Sequence, residues 1–274
     1  MPRAKRYYIP GCVWHITHRC HKQEFLLKFA RDRNRWLELL FQAKQRYGLV
    51  VLNYIVTSNH IHLLVSDDGD RETIPKSMQM LAGQTGQEYN RRKKRKGAYW
   101  EDRYHATAIE SGMHLFTCII YIDMNMVRTG VVSHPSEWAW NGYNEIQSQK
   151  QRYAVINYKR LSELLGVGST SQLREKHAMW IEEALKADRH ERDRKWSQAI
   201  AVGSQGYIDN IKKELGMKVV YRKTTRVDKG FMIREDVLPY NADLSPQSKG
   251  LTYISRVKKS NLPFVARAFK VLHN

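Results

Sequence analysis

Apolar residues in the first half of the chain fall into two alternating periods. Residues 12–18, Cys-Val-Trp-His-Ile-Thr-His, are β-branched and aromatic and predict a strand. Trp36, Leu37, Leu39, Leu40, Ala43 and Tyr47 lie at helical spacing within 29–47, and Gly48 is a natural stop. A second strand follows over 49–56, a tight connection at Thr57-Ser58-Asn59, a third strand over 60–65 and a loop at 67–70. Ile74, Met78, Leu81 and Tyr89 share a face of a helix predicted over 74–96. A fourth strand is predicted over 98–109. A helix over 112–126 carries a stripe of Leu115, Cys118, Ile119 and Ile122.

The order β-α-β-β-α-β-α predicts an α+β fold, a split β-α-β antiparallel sheet with helices on one face. This first domain is expected over 1–147, with an aromatic extension at Trp138, Trp140 and Tyr143. The polar run 147–152 reads as a boundary. Beyond it, helical patterns at 158–166, 170–188, 191–200 and 206–215 predict a mainly helical domain over 153–230. The first two flank a Gly-containing turn, so they read as a helix-turn-helix that contacts duplex DNA or as plain helical packing. A tail follows over 231–274, where Phe264, Val265, Phe269 and Leu272 predict a short docked helix behind Arg256, Lys258 and Lys259.

Charge narrows the partners. The 274 residues hold 46 Lys and Arg against 27 Asp and Glu, a formal charge of +19. The excess is +8 over 1–150 and +11 over 151–274, so both parts favour a polyanion, nucleic acid first. No apolar run approaches membrane-spanning length, and Met1-Pro-Arg-Ala-Lys-Arg-Tyr-Tyr has no apolar signal core. Three cysteines are too few for a disulfide framework, which makes a reducing cytoplasm the expected compartment.

His60 and His62 are two apart on a predicted strand and share one face. Such a pair can bind one divalent metal, or be two sheet histidines with hydrogen-bond partners. Tyr121 and Asn125 share a helix face one turn apart. The phenol can act as a nucleophile and the amide oxygen as a metal ligand; the alternative is a core tyrosine and a helix-end asparagine. Taken together, two imidazoles, an amide and a phenol around a metal suit phosphoryl transfer. At neutral pH a phenol needs a nearby cation or base to become a nucleophile. Cys12, His15, His18, Cys20 and His21 cannot all face one zinc from an alternating strand. His105, near this group, is a candidate for proton transfer.

Four segments carry a resemblance. Thr57-Ser-Asn-His-Ile-His-Leu-Leu-Val65 resembles the HUH motif, with Ile61 as its large apolar residue. Gly97-Ala-Tyr-Trp-Glu-Asp-Arg-Tyr104 is similar to the Gly-x-x-Trp-x-x-Arg-Tyr element that follows it. Tyr121-Ile-Asp-Met-Asn-Met-Val-Arg-Thr-Gly-Val-Val132 resembles the catalytic-tyrosine helix, and Pro135-Ser-Glu-Trp-Ala-Trp-Asn-Gly-Tyr143 the end of the domain. In order and spacing, over about 5–145, they resemble the single-tyrosine HUH transposases, the REP-associated tyrosine transposases above all.

The resemblance implies an HUH-type fold, His60 and His62 as metal ligands, Asn125 as the third, and Tyr121 as nucleophile. It implies Mg²⁺ or Mn²⁺, and single-stranded or hairpin DNA of REP type cleaved and rejoined through a 5′-phosphotyrosine. It also implies a monomer with its site in cis, a dimer exchanging the tyrosine helix being the alternative. One departure is Met126, where the family has proline; without it the helix is free to run further. Arg91, Arg92, Lys93, Lys94 and Arg95, with Trp100 beside them, suit phosphate contacts and base stacking, and Arg103 and Arg128 lie inside the motifs. A regulator that binds hairpins without chemistry is the competing reading. A replication initiator or relaxase fits less well, because Tyr121 has no second tyrosine within a turn.

Overall fold

Strands β1 (Val13–Arg19), β2 (Val50–Val56) and β3 (His60–Ser66) bury almost every residue, because the sheet they form is covered on both faces. The structure is a computed structural model that describes residues 7–187, 193, 195–219, 221–228 and 230–234. All of these lie within one unit, Met1–Ala242. Of the tail expected over 231–274, residues 231–234 belong to a strand, and the rest, with its predicted docked helix, lies outside the described residues.

Helix α1 (Ala30–Tyr47) links β1 to β2 and ends at Gly48, whose left-handed backbone (φ 72°) donates its N–H to the Lys44 carbonyl. Strand β3 turns back between β2 and β1. Helix α2 (Thr73–Lys93) then crosses to β4 (His105–Ile109) on the far side of β1. The order β2-β3-β1-β4, antiparallel throughout, is the split β-α-β sheet the pattern predicts. Helices α1 and α2 pack together on the face that carries His18, where Trp100 stacks on the His18 ring and donates its indole N–H to Ala82 of α2.

The opposite face of the sheet carries α3 (Met113–Asp123). A break at Met124 leads directly into α4 (Asn125–Arg128). Met126 therefore falls in the first turn of a new short helix, a place that proline also tolerates, and the longer helix expected from its absence does not form. The aromatic extension docks on β2: Val56 donates to the Trp140 carbonyl and the Trp138 indole donates to Val56, at 2.9 and 3.0 Å. Helix α5 (Gly142–Gln147) opens with a glycine because a Cβ there would lie 1.9 Å from Asn53 Oδ1.

Three expectations are corrected. Strand β4 begins at His105, not at 98. Ahead of it Trp100 makes only an isolated antiparallel bridge to Cys20, with the His21 N–H on the Tyr99 carbonyl and the Glu101 N–H on the Arg19 carbonyl, while the two side chains pack on Tyr89 and His18. The polar run 147–152 is not a free linker. Buried Glu145 accepts the N–H groups of Val155 and Ile156, both at 2.7 Å, and the Tyr54 hydroxyl at 2.9 Å, which ties the chain back to β2. Where a helix is expected over 191–200, α8 (Lys195–Gln198) gives way to strand β5 (Ala199–Gly203).

Helices α6 (Tyr158–Leu165) and α7 (Thr170–Lys186) do flank a short turn. Beyond them the sheet resumes. The apolar run 199–203 is buried on both faces and pairs in parallel with β4. Helix α9 (Gln205–Leu215) and the hairpin of β6 (Thr224–Val227) and β7 (Gly230–Arg234) complete a seven-stranded sheet, β2-β3-β1-β4-β5-β7-β6.

Asp123, at the end of α3, is 1% exposed and accepts from Asn53 Nδ2 of β2 at 3.0 Å and from His177 Nε2 of α7 at 2.7 Å. Gln147 Nε2 donates to His177 Nδ1 at 3.0 Å, which places the imidazole proton on Nε2, toward Asp123. Replacing Asp123 by alanine strands two buried donors and is expected to cost about 3 kcal/mol of unfolding free energy in urea denaturation. A loss below about 1 kcal/mol would show the network to be idle.

Candidate active site

The pairing register assembles the site. His62 lies opposite Thr17 on β1, which puts His15, two residues along, diagonally beside it on the same face. His105 and Thr107 of β4 face the same way, opposite Thr17 and His15. The His60 and His62 rings meet edge to face with centroids 5.0 Å apart. Tyr121 reaches the cluster from α3, its ring 5.7 Å from that of His62, and Asn125 arrives one turn later from α4. The four residues predicted for chemistry therefore converge on one face of the sheet, within one chain.

Both histidines of the motif are held through Nδ1. His60 Nδ1 lies 2.7 Å from Asn59 Oδ1 and so carries the proton, since that oxygen can only accept. Thr57 Oγ1 stands 3.0 Å from the same nitrogen. His62 Nδ1 lies 2.9 Å from His15 Nε2, and the two rings stack at 5.0 Å. With the His62 proton on Nδ1 and donated to His15, the Nε2 lone pair points toward Asn125. Burial, with the charge of nearby His105, pushes His15 down to about 3, and the Trp196 backbone works weakly the other way. His15 is thus a neutral acceptor at any working pH.

A hard divalent ion fits this donor set. Asn125 Nδ2 stands 3.1 Å from His62 Nε2, while its Oδ1 is buried with no hydrogen-bond partner. The orphaned oxygen and two imidazole nitrogens with fixed tautomers are what a metal would need, and Asn59 and His15 are the outer partners that orient such ligands. Among the described residues, no group of three His, Cys, Asp or Glu side chains could hold a metal. The third donor here is an amide.

The tyrosine is walled on several sides. The Arg128 guanidinium lies 4.1 Å from the centre of its ring, and Arg128 Nη1 donates to the Tyr121 carbonyl at 2.8 Å. Arg128, expected on DNA, lies against the nucleophile candidate. Trp196 of α8, 1% exposed, stands 5.8 Å from the Tyr121 ring and 6.2 Å from His15. It is held there because β5 follows at once and its Ala199 carbonyl accepts from Thr107 Oγ1 at 2.8 Å.

The other DNA candidates come from the end of α2 and from the segment before β4. Arg91, Lys93 and Lys94 are exposed at the end of α2, and Arg103 is exposed before β4. Arg92 pairs with Asp32, and Arg95 with Glu24 at 3.3 Å. Trp100 has one face on His18. Sequence reasoning missed His15 and Trp196. The only signal for His15 was its parity with Thr17 on β1, legible once the register is known. Nothing marked Trp196.

The family model for IS200-like transposases matches residues 8–125. Among solved structures, a REP-associated tyrosine transposase bound to a REP hairpin is 18% identical, with a TM-score of 0.47; the match covers 54% of this chain and 87% of that one. A candidate transposase from Deinococcus radiodurans R1 is 16% identical with a TM-score of 0.30, covering 38% of this chain and 84% of that one. No curated protein matches. No helix among the described residues is long and apolar enough to cross a membrane. Residues 8–125, which hold His60, His62, Tyr121 and Asn125, are thus similar to the IS200-like transposases.

Proposed function

We propose that the chain is a metal-dependent DNA strand transferase, cleaving and rejoining single-stranded hairpin DNA of REP type through a phosphotyrosine on Tyr121. The observation that carries this reading is the placing of the Tyr121 ring 5.7 Å from His62, with the buried, unpaired Asn125 Oδ1 beside them. His60, His62 and Asn125 would hold Mg²⁺ or Mn²⁺, which when bound polarises the scissile phosphate and stabilises charge on the leaving oxygen.

The chain's own groups do the rest. Tyr121 Oη attacks phosphorus and loses its proton. The bond to the 3′ oxygen breaks, leaving a free 3′-OH and a 5′ phosphate on the tyrosine. The Arg128 guanidinium over the ring supplies positive charge beside an aryloxide. One phosphodiester replaces another, so a 3′-OH can run the step backwards and rejoin strands without ATP. The exposed Arg91, Lys93, Lys94 and Arg103 supply phosphate contacts, and Arg92, Arg95 and Trp100 shape that surface. We take a monomer as the working unit. The basic charge and the absence of a membrane-crossing helix among the described residues agree with action on DNA in the cytoplasm.

The test is a denaturing gel with labelled hairpins bearing 5′ or 3′ single-stranded tails, in Mn²⁺ or Mg²⁺. Wild type is expected to form a metal-dependent protein–DNA adduct and Tyr121→Phe none, with hairpin binding retained. Binding without an adduct, across hairpins from the host's own repeats, would leave the non-catalytic regulator standing. A second expectation concerns the metal. His15→Ala removes the acceptor that orients His62 and is expected to weaken Mn²⁺ binding about 10- to 100-fold by calorimetry, without unfolding the sheet. His15→Gln, which keeps an acceptor, should recover part of it. Unchanged Mn²⁺ affinity in both would remove His15 from the site.

A further inference from the structure

The loop between β1 and α1 shows two large apolar side chains to solvent. Phe25 is 63% exposed and Phe29 53%. Both are carried by a loop fastened at both ends. Leu26 and Leu27 are buried, the Leu27 N–H donates to the Ser58 carbonyl at 2.9 Å, and Tyr99 Oη donates to the Leu26 carbonyl at 3.3 Å. Cys20 N donates to the Asn59 carbonyl at 2.8 Å, and Asn59 Nδ2 to the Gln23 carbonyl at 3.3 Å. Asn59 is also the residue that orients His60. The exposed phenylalanines therefore stand on a braced loop whose fastening point is next to the first metal-ligand candidate.

Charge identifies the occupant. The Lys28 and Lys93 ammonium groups lie 5.9 and 5.4 Å from the centre of the Phe29 ring. The nearby carboxylates of Glu24 and Asp32 are engaged by Arg95 and Arg92. Among the described residues, neither Lys28 nor Lys93 makes an ion pair. An exposed ring with two ammonium groups outside any salt bridge among the described residues matches what a single strand offers, a flat base face between phosphates. A duplex presents phosphates but no free base faces. We infer that Phe29, flanked by Lys28 and Lys93 and joined by Phe25, is a base-stacking platform for the single-stranded DNA segment beside His60. The inference rests on the DNA-processing reading and names where the strand lies.

The experiment uses the full chain in EDTA, so that no chemistry enters. Binding of a labelled oligothymidine and of a blunt hairpin without tails is followed by anisotropy at several salt concentrations. Phe29→Ala is expected to weaken oligothymidine binding about tenfold and to leave the blunt hairpin within about twofold. Phe29→Trp should restore binding. Lys28→Ala and Lys93→Ala should each lower the salt slope for the single strand by about 0.7. Unchanged oligothymidine affinity in Phe29→Ala, or an equal loss on the blunt hairpin, overturns the inference. So does a wild-type dimer in sedimentation that Phe29→Ala converts to monomer, which would make the patch an interface between copies. Failure of the strand-transferase reading shows separately, as no adduct from wild type whose stacking platform is intact.

Discussion

A carboxylate buried between the nucleophile candidate and the third metal-ligand candidate governs the arrangement of this protein. Asp123 sits two residues after Tyr121 and two before Asn125, and is almost wholly shielded from water. Such a group must be met by donors, and here they come from β2 and α7. The hydrogen bonds fix where α3 ends and α4 begins, and so set the height and rotation at which Tyr121 and Asn125 approach the sheet. Helix propensity alone could not do this, since an isolated helix of this length is marginal. The candidate site depends on a polar contact made by α7, a helix that lies outside the matched residues 8–125.

The first half of the fold was legible because its signals are local and mutually consistent. Alternation, helical spacing and Gly48 each pointed to the same β-α-β-β-α-β order. Parity on a strand and one turn of a helix grouped His60 with His62 and Tyr121 with Asn125, but each pair also read as structural, and their expected roles came with the resemblance of the motifs around them. His15 was not, because its partnership with His62 depends on how β1 and β3 are registered, and register is a tertiary fact. The run 199–203 failed for a related reason. A short apolar stretch reads equally well as buried helix or buried strand, and pairing with β4 decided it. At Tyr99 and Trp100 the aromatic character did mark pairing, but only as an isolated bridge to Cys20 that does not run on into β4.

The basic run illustrates how charge counts mislead at the level of single residues. The sequence offers six consecutive cations at 91–96. In the structure two of them bind carboxylates on the β1–α1 loop and α1, which fastens α2 to its neighbours. What remains outward is a smaller set, and its arrangement around Phe29 carries more information than its number. Arg128 departs further from the composition-level view, since it lies over the Tyr121 ring.

The enclosure of Tyr121 bears on what kind of phosphoryl transfer the site favours. A phosphotyrosine can be resolved by a 3′-OH, which conserves the strand, or by water, which loses it. The ring is hemmed by His15, His62, Arg128 and Trp196, and the residue is only 8% exposed. Packing of this kind limits the water that can stand behind the ring. Trp196 reaches that position because β5 pairs with β4 and Thr107 holds Ala199, so the sheet extension beyond the matched residues helps build the wall. In the proposed reaction the extension therefore contributes to the choice between rejoining and hydrolysis, although it supplies none of the reacting atoms. This gives a physical reason for strands 199–234 to share one sheet with the site: a wall carried on a separate, flexibly linked domain could not hold an indole in ring contact with Tyr121 and His15.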